Sequence, residues 1–341
     1  MKVAMYYSNS DVRLEEMPVP SIGDGEILLK VMASGICGSD VMEWYRIKKA
    51  PLVLGHEVAG EVVEVGKGVK GFKAGDRAFV THHVPCFKCR YCRNGKETMC
   101  ETLRTTKFHP GGFAEYLRIP EINVKNGTLK LPDKMTYDEG TFIEPLGCVV
   151  RGQRVAGVRK GDTVLVLGSG ISGLLHIQLA KVLGAEKIIA TDVSEYRLRA
   201  AKRFGADVVM NARENVPEKV MGHNGKRPAD VVIVCTGALP AMKQALQSVD
   251  RGGTVLFFAP TEPGADVPIH VDELWKNGVN LMTSYAAAKK DLEKAMELIE
   301  NGRINVRGMI THTLSLADAG RGFRLVAGGG ESIKVIIRPH G

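Results

Sequence analysis

The sequence lacks the features that would mark a secreted, membrane-embedded or disordered chain. Residues 1–17 mix charged and polar positions and contain no apolar run of the kind found in secretory signal peptides. The longest uncharged stretch, residues 163–180, is interrupted by Gly168, Gly170 and Gly173, which argues against a membrane helix. Neither an internal repeat nor a low-complexity tract is present. With 44% hydrophobic and 25% charged residues, we expect a folded cytoplasmic protein that makes no use of a membrane.

Net charge and cysteine distribution are the two unusual features of the composition. The chain has 46 Lys and Arg against 38 Asp and Glu, and the resulting charge of +8 permits a polyanionic partner. The cations are dispersed over several segments, however, which weakens a nucleic-acid interpretation. Cysteine is present in an odd number, seven. Because clustered cysteines in a reducing compartment indicate a metal before a disulfide, we expect a metal site.

The chain changes character along its length. The first 135 residues contain short apolar segments separated by glycine turns, which favours a β-sandwich or barrel. From Gly161 onward, strands and helices alternate, which predicts a doubly wound parallel sheet of two mononucleotide-binding halves. The last fifty-five or so residues are too few for a separate core, so we expect them to complete the first domain. The predicted sheet strands are Thr163–Leu167, Lys187–Thr191, Asp207–Met210, Asp230–Cys235, Thr254–Phe258 and Asn280–Ser284.

The most specific local pattern is Cys86-x2-Cys89-x2-Cys92-x7-Cys100. Four thiolates close in sequence can enclose one tetrahedral zinc ion and leave no open position, which is typical of a structural site. The bacterial iron–sulfur pattern differs, because it ends in a three-residue gap followed by Cys-Pro. Lysines and arginines among the four cysteines fit a counter-charge to the metal site, and a nucleic-acid finger is the alternative.

A second pattern, G-x-G-x-x-G, follows a predicted strand and precedes a predicted helix. In a dinucleotide-binding fold these glycines allow a tight turn, close approach of the pyrophosphate and close helix packing. Asp192 ends the next strand, where a carboxylate accepts the ribose 2′-hydroxyl and disfavours a 2′-phosphate, so NAD is predicted over NADP. Arg197 is a candidate phosphate partner, and for that reason NADP remains the less favoured alternative. The predicted cofactor residues here are Gly168, Gly170, Ile171, Ser172, Gly173, Asp192 and Arg197.

A third set of residues is scattered along the first domain. Cys37, His56, Glu57 and Glu144 each have an ordinary structural interpretation when taken singly. Together, one cysteine, one histidine and a carboxylate make an open zinc site with room for water or substrate in the fourth position.

With these motifs assembled, the chain resembles the zinc-containing medium-chain alcohol dehydrogenases, and most closely their sorbitol (L-iditol) and threonine dehydrogenase branch. The resemblance spans essentially the whole chain. It is carried by the segments Gly35–Asp40, Gly55–Glu57, Cys86–Cys100, Glu144–Leu146 and Gly168–Gly173, together with Asp192.

The resemblance implies a GroES-like β-rich catalytic domain, residues 1–152 completed by 286–341, and a Rossmann NAD-binding domain, residues 153–285. It implies a cleft between them, one catalytic and one structural zinc, and assembly as a tetramer or dimer. Cys37 and His56 would ligate the catalytic zinc, with either Glu57 or Glu144 supplying the carboxylate. Ser39 matches the proton-relay hydroxyl. Thr236, Ser284 and Tyr285 complete the predicted cofactor site.

Two positions depart from the family pattern. Met42 stands where many relatives have a relay histidine, and Ser284-Tyr285 aligns with the Arg-Tyr pair that holds the polyol in sorbitol dehydrogenases. The implied reaction is hydride transfer between NAD and a secondary alcohol, a polyol or sugar derivative, giving the ketone. L-threonine 3-dehydrogenase or a vicinal-diol dehydrogenase is the alternative within enzymes. A catalytically silent or nucleic-acid-binding scaffold is the alternative outside them.

Overall fold

A computed structural model describes all of residues 1–341. Contacts divide the chain into two compact units, here called the catalytic unit and the nucleotide unit. The catalytic unit comprises Met1–Gly147, Ala286–Gly302 and Val306–Gly341, and the nucleotide unit comprises Cys148–Tyr285 and Arg303–Asn305. None of the helices combines the length and apolar character needed to cross a membrane.

Sixteen strands form the sheets of the two units. In chain order they are β1 Lys2–Tyr6, β2 Val12–Glu16, β3 Ile27–Gly35, β4 Leu52–Val53, β5 Glu57–Val65, β6 Arg77–Val80, β7 Tyr116–Ile119, β8 Thr128–Lys130, β9 Thr163–Leu167, β10 Lys187–Asp192, β11 Val208–Asn211, β12 Ala229–Val234, β13 Val249–Phe257, β14 Asn280–Thr283, β15 Ile310–Ser315 and β16 Lys334–Arg338.

Thirteen α-helices accompany them. They are α1 Glu43–Arg46, α2 Arg90–Arg93, α3 Glu101–Thr105, α4 Glu121–Gly127, α5 Tyr137–Gly140, α6 Ile143–Ala156, α7 Ile171–Leu183, α8 Glu195–Arg203, α9 Val216–His223, α10 Leu239–Ser248, α11 Val271–Asn277, α12 Lys289–Glu300 and α13 Ala319–Ala327.

The nucleotide unit is built on the predicted six-stranded parallel sheet, which is confirmed. Its strand order is β11-β10-β9-β12-β13-β14, so the order reverses between β9 and β12. Strand β9 is buried at all five positions, as expected for the centre of a sheet covered on both faces. In such sheets a ligand binds beyond the carboxyl ends of the strands at the point of reversal. The glycine-rich segment follows β9 at that point.

The catalytic unit contains two sheets. A three-stranded sheet has the order β2-β1-β4, and a seven-stranded sheet has the order β15-β16-β3-β5-β6-β8, with β7 also paired to β3. The closing strand β16 pairs antiparallel with β3, placing Ile336 opposite Gly35. The end of the chain is therefore part of the sheet that carries the N-terminal motifs. Together with the nucleotide sheet, this agrees with the predicted GroES-like and Rossmann fold class.

A capping box at Thr136 begins α5. The Thr136 side chain accepts the backbone N–H of Glu139, and the Glu139 carboxylate accepts the backbone N–H of Thr136. Helix α6 begins at Ile143, so Pro145 lies in its first turn, where no intrahelical donor is required and proline is tolerated.

Candidate active site and structural metal site

The four clustered cysteines converge in the catalytic unit. The Sγ atoms of Cys86, Cys89, Cys92 and Cys100 all lie within 4.8 Å of one another. The Cys89–Cys92 separation is 3.5 Å and the Cys86–Cys100 separation is 3.6 Å. Thiolates about 2.3 Å from a tetrahedral zinc are roughly 3.8 Å apart. The donor set and its spacing therefore fit a closed zinc site.

Hydrogen bonding and burial act unequally on these thiols. Burial opposes ionisation, but backbone and side-chain hydrogen bonds outweigh it and lower the pKa of Cys100 to about 6. For Cys92, burial and the neighbouring thiols raise the pKa to about 12. Metal binding requires deprotonated thiols, so a bound cation would replace the protons of all four cysteines. Exposed side chains of Lys88 and Arg90 lie within the same loop and add positive charge.

A second donor group forms where β3 and β5 meet the loop that follows β3. A sulfur of Cys37, a ring nitrogen of His56 and a carboxylate oxygen of Glu57 lie within 4.8 Å of one another. Glu57 is 1% exposed, whereas Cys37 and His56 are half-buried. Three such ligands leave one position for a substrate oxygen, so the donor set fits an open zinc site.

Asp40 contacts two members of this donor group, Cys37 and His56. Its Oδ2 accepts the Cys37 backbone N–H at 3.0 Å, and its Oδ1 lies 3.3 Å from His56 Nδ1. A carboxylate on one ring nitrogen orients the other nitrogen for a metal. Burial alone would lower the pKa of His56, but Asp40 and Cys37 raise it well above its ordinary value. The pKa of Asp40 is lowered despite its burial, because His56 and Arg46 are close.

Glu57 has a buried cationic partner in Lys334. The Lys334 Nζ contacts Glu57 Oε2, and the Lys334 side chain is fully buried. Lys334 is the first residue of β16, so this contact depends on the pairing of β16 with β3. The Gly35 backbone allows it, because a Cβ there would lie 2.3 Å from the Glu57 carboxylate. The carboxylate of the donor group is thus neutralised from inside the protein.

Ser39 is held by an arginine. Arg46 donates through Nε to the Ser39 carbonyl at 2.9 Å and through Nη2 to Ser39 Oγ at 3.1 Å. The same guanidinium lies 3.6 Å from Asp40 Oδ1. Since a guanidinium has no acceptor, the Ser39 hydroxyl accepts from Arg46 and its own proton remains available elsewhere. Met42, which immediately precedes α1, cannot continue a proton relay.

A pair of histidines borders the donor group. The ring of His82 is 4.9 Å from that of His56, and it stacks on His83 at 3.6 Å. Its third neighbour is Phe108, edge-on at 6.1 Å. Burial lowers the pKa of His82 well below its ordinary value, so the ring is neutral.

The glycine segment in the nucleotide unit has the backbone geometry that its sequence predicts. Gly168 has φ +94°, in the left-handed region. A Cβ on Gly173 would lie 1.9 Å from the Gly168 carbonyl oxygen, so only glycine allows the helix to start so close to the strand. Gly170 directly precedes α7, which begins with Ile171 and Ser172. The free N–H groups of this helix terminus suit a phosphate.

Asp192 and Arg197 lie beside that segment. Asp192 Oδ2 accepts the Ser169 N–H at 2.8 Å, and Oδ1 accepts the Ser194 N–H at 2.9 Å. Each carboxylate oxygen has a second lone pair for a ribose hydroxyl. Arg197 Nη1 lies 4.0 Å from the position of a Cβ on Gly170, and its Nε is buried without a hydrogen-bond partner. The guanidinium thus lies beside the residue that precedes α7.

The other residues that the sequence predicted for the active site are Thr236, Ser284, Tyr285 and Glu144. Thr236 follows β12, and its Oγ1 accepts the Ala238 N–H at 3.3 Å. Ser284 follows β14 and has a buried Oγ without a partner, while Tyr285 is 45% exposed. Glu144 is buried in the first turn of α6 and is not a member of the Cys37–His56–Glu57 group.

Sequence reasoning missed five residues of the catalytic unit. Asp40 was visible inside the Gly35–Asp40 motif, and the adjacent His82 and His83 were a readable signal. Arg46 and Lys334 carry no local signal, because their partners are reached only through the fold.

Comparison with known proteins identifies the family to which the two units belong. The profile of the alcohol dehydrogenase GroES-like domain matches residues 23–133, and that of the zinc-binding dehydrogenases matches residues 172–301. Sorbitol dehydrogenase of Bacillus subtilis is 31% identical over 351 residues, which covers 100% of this chain and 98% of that protein. A probable D-xylulose reductase A of Aspergillus terreus is 32% identical, covering 96% of this chain and 94% of that protein.

Among solved structures, a putative zinc-binding dehydrogenase of Sinorhizobium meliloti bound to NADP superposes with a TM-score of 0.89. It is 29% identical, and the match covers 99% of each chain. The chain therefore belongs to the zinc-containing medium-chain alcohol dehydrogenases, in their sorbitol dehydrogenase branch. It is a zinc-dependent, NAD(P)-linked oxidoreductase.

Proposed function

We propose that this protein oxidises a secondary alcohol of a polyol or sugar derivative to the ketone, with NAD as hydride acceptor. The observation that carries the proposal is the convergence of Cys37, His56 and Glu57 into an open three-donor group. The polyol class is supported by the names of the similar proteins, sorbitol dehydrogenase and D-xylulose reductase. L-threonine 3-dehydrogenase and vicinal-diol dehydrogenase are the alternatives.

In the proposed mechanism, Cys37, His56 and Glu57 would hold a zinc ion, and Asp40 positions Cys37 and His56. The zinc would supply Lewis-acid polarisation of the substrate oxygen, and NAD would supply the hydride acceptor. The Ser39 hydroxyl accepts the alcohol proton on the lone pair that Arg46 leaves free, and it releases its own hydrogen, which points away from the guanidinium. The proton then passes to water, since Met42 offers no acceptor.

The choice between the two carboxylates favours Glu57. Glu57 belongs to the donor group, whereas Glu144 does not. We propose that Glu57 ligates the metal and that Glu144, buried in the first turn of α6, holds the fourth ligand, water or substrate. Lys334 offsets one negative charge of the ligand set, which limits the cost of burying it.

The preference for NAD over NADP rests on Asp192. Its carboxylate, pinned by two backbone N–H groups, would repel a 2′-phosphate and accept a 2′-hydroxyl. Gly168, Gly170 and Gly173 give the pyrophosphate access to the start of α7, and Arg197 supplies positive charge to it. Thr236, Ser284 and Tyr285 are proposed to line the nicotinamide end.

The experiment that tests the function is a screen of NAD reduction with sorbitol, xylitol, L-threonine, myo-inositol and 2,3-butanediol, on protein with measured metal content. We expect about two zinc ions per chain and turnover with a polyol. Turnover with L-threonine alone would select the amino-acid alternative. No turnover with any alcohol, despite bound zinc and NAD, would make the scaffold catalytically silent, and salt-sensitive DNA binding would support the nucleic-acid alternative.

We propose further that the protein works in the cytoplasm and assembles as a homodimer or tetramer. All seven cysteines are free thiols, and four of them suit a metal that a reducing compartment preserves. Trp275 is 83% exposed and Val271 is 65% exposed on α11, next to the edge strand β14. An exposed apolar patch near a strand whose outer edge is unpaired favours self-association. Light scattering of the protein and of Trp275→Glu tests this, with a loss of mass expected for the variant.

A further inference from the structure

His82 lies next to the open donor group, and the proposed mechanism assigns it no role. Its ring centroid is 4.9 Å from that of His56, and the two rings are inclined at 54°. His82 follows β6, whereas His56 precedes β5, so the pairing of these two strands brings them together. The His82 ring thus lies next to a member of the open donor group.

The backbone that carries His82 is held firmly. Asn123, which is fully buried, donates through Nδ2 to the carbonyl of Thr81 at 2.9 Å and to that of His82 at 3.1 Å. The Thr81 N–H in turn donates to the Gly127 carbonyl at 2.9 Å. A side chain on a backbone fixed by buried amide bonds is preorganised, which is what precise recognition of a small ligand requires.

The imidazole nevertheless lacks a hydrogen-bond partner on one side. His82 Nδ1 is shielded from solvent and makes no hydrogen bond within the protein. Buried polar atoms are nearly always paired, and leaving one unpaired costs stability. The neighbouring rings of His83 and Phe108 would pack equally well against a phenyl ring. The packing therefore does not explain why the residue is a histidine.

We propose that His82 is a specificity-determining residue that hydrogen-bonds a second hydroxyl of the substrate, on the carbon next to the one that is oxidised. The inference rests on the proposed function. A hydroxyl can both donate and accept a hydrogen bond, so it can pair with the unpartnered ring nitrogen of His82. The site thereby selects vicinal polyols over simple secondary alcohols, because a substrate lacking the second hydroxyl leaves the imidazole unpaired.

The test compares (2R,3R)-2,3-butanediol with 2-butanol, which has the same carbon chain without the second hydroxyl. His82→Phe preserves the ring packing and removes the hydrogen bond, and His82→Asn restores a polar atom near the position of Nδ1. His340→Phe is the matched histidine control, because His340 lies at the exposed end of the same unit. Zinc content and melting temperature are measured for every variant.

We expect His82→Phe to lower kcat/KM for the diol about tenfold or more, mainly through KM, and to leave 2-butanol unchanged. His82→Asn should recover most of the loss, and His340→Phe should match the wild type. Calorimetric titration should show weaker binding of the diol, but not of 2-butanol, to His82→Phe. Equal losses for both alcohols, or no preference of the wild type for the diol in either assay, would overturn the role of His82.

The two proposals fail in different ways. If the wild type binds the diol more tightly than 2-butanol but reduces no NAD with any alcohol, the proposed function fails and His82 stands as a diol-binding residue. If the wild type turns over polyols while His82→Phe leaves the diol preference intact, the function stands and the assignment of His82 fails.

Discussion

Lys334 and Glu57 form a fully buried ion pair, although 277 residues separate them in sequence. The pair exists because the closing strand β16 is placed beside β3. Taking one member of a buried ion pair away leaves an uncompensated charge, which is far costlier than losing a surface pair.

Replacing Lys334 by Met should accordingly destabilise the zinc-loaded protein by about 3–5 kcal/mol in urea unfolding. Combining it with Glu57→Gln should restore much of the loss, because the carboxylate that lost its cationic partner is then also removed. Lys125→Met, which breaks the exposed Lys125–Glu121 pair, is the control and should cost about 0.5 kcal/mol. A Lys334→Met variant as stable as the control would show that the pair contributes nothing.

The two metal groups should respond differently to mutation. Cys37→Ser should abolish turnover and remove one zinc while leaving the melting temperature nearly unchanged, because the open site is proposed to serve catalysis. Cys92→Ser should remove the other zinc, and its main effect should be a lower melting temperature, since closed four-thiolate sites contribute folding energy. Elemental analysis measures the zinc content of both variants, and calorimetry measures their melting temperatures. The reverse pattern would mean that the Cys37 site is structural and the Cys92 site is catalytic.

Arg46 should act on catalysis through Ser39. Arg46→Met removes two hydrogen bonds to Ser39, and we expect kcat to fall about tenfold to a hundredfold with a smaller change in KM. Arg46→Lys, which retains a cation, should lose less. Arg13→Met, which breaks only an exposed pair with Asp11, is the matched control. An increase in KM at constant kcat would point to substrate binding instead of positioning.

Asp192 should control the choice of cofactor. Asp192→Ser removes the carboxylate that we propose to face the ribose 2′ position, so kcat/KM for NADP relative to NAD should rise about tenfold, roughly 1.4 kcal/mol. Steady-state kinetics with both cofactors measure this ratio. Asp250→Asn, on the Arg227 ion pair of the same unit, serves as the control and should leave the ratio unchanged. An unchanged ratio in Asp192→Ser would remove Asp192 from cofactor selection.

His176 should make the stability of the protein depend on pH. Burial lowers its pKa to about 3 in the folded state, while the unfolded chain has a value near 6.5. The unfolded state therefore binds more protons between these values, and stability present above pH 6.5 is lost as the pH falls. His176→Gln should reduce the loss between about pH 6.5 and 5 by about 2 kcal/mol in urea unfolding. The exposed His223→Gln is the control, and an identical slope in both variants would contradict the prediction.

Local signals predicted much of the fold and site. The bounds of strands β9–β14 were predicted to within a few residues, because each strand is a continuous apolar run that a helical segment follows in the sequence. The exception is β13, which begins at Val249, five positions before the predicted Thr254, because its first residues are hydrophilic. The short strands β4 and β8 escaped prediction because two or three residues carry no period of their own.

The sequence alone determined the donor types, the four-cysteine spacing and the glycine turn, because a metal loop and a phosphate loop are formed by neighbouring residues. Only the tertiary structure decided which distant groups complete them. Strand pairing places Lys334 on Glu57 and His82 beside His56, and the loop after β3 folds back so that Arg46 reaches Ser39. Such contacts depend on sheet register, which is a property of the whole fold and not of any short segment.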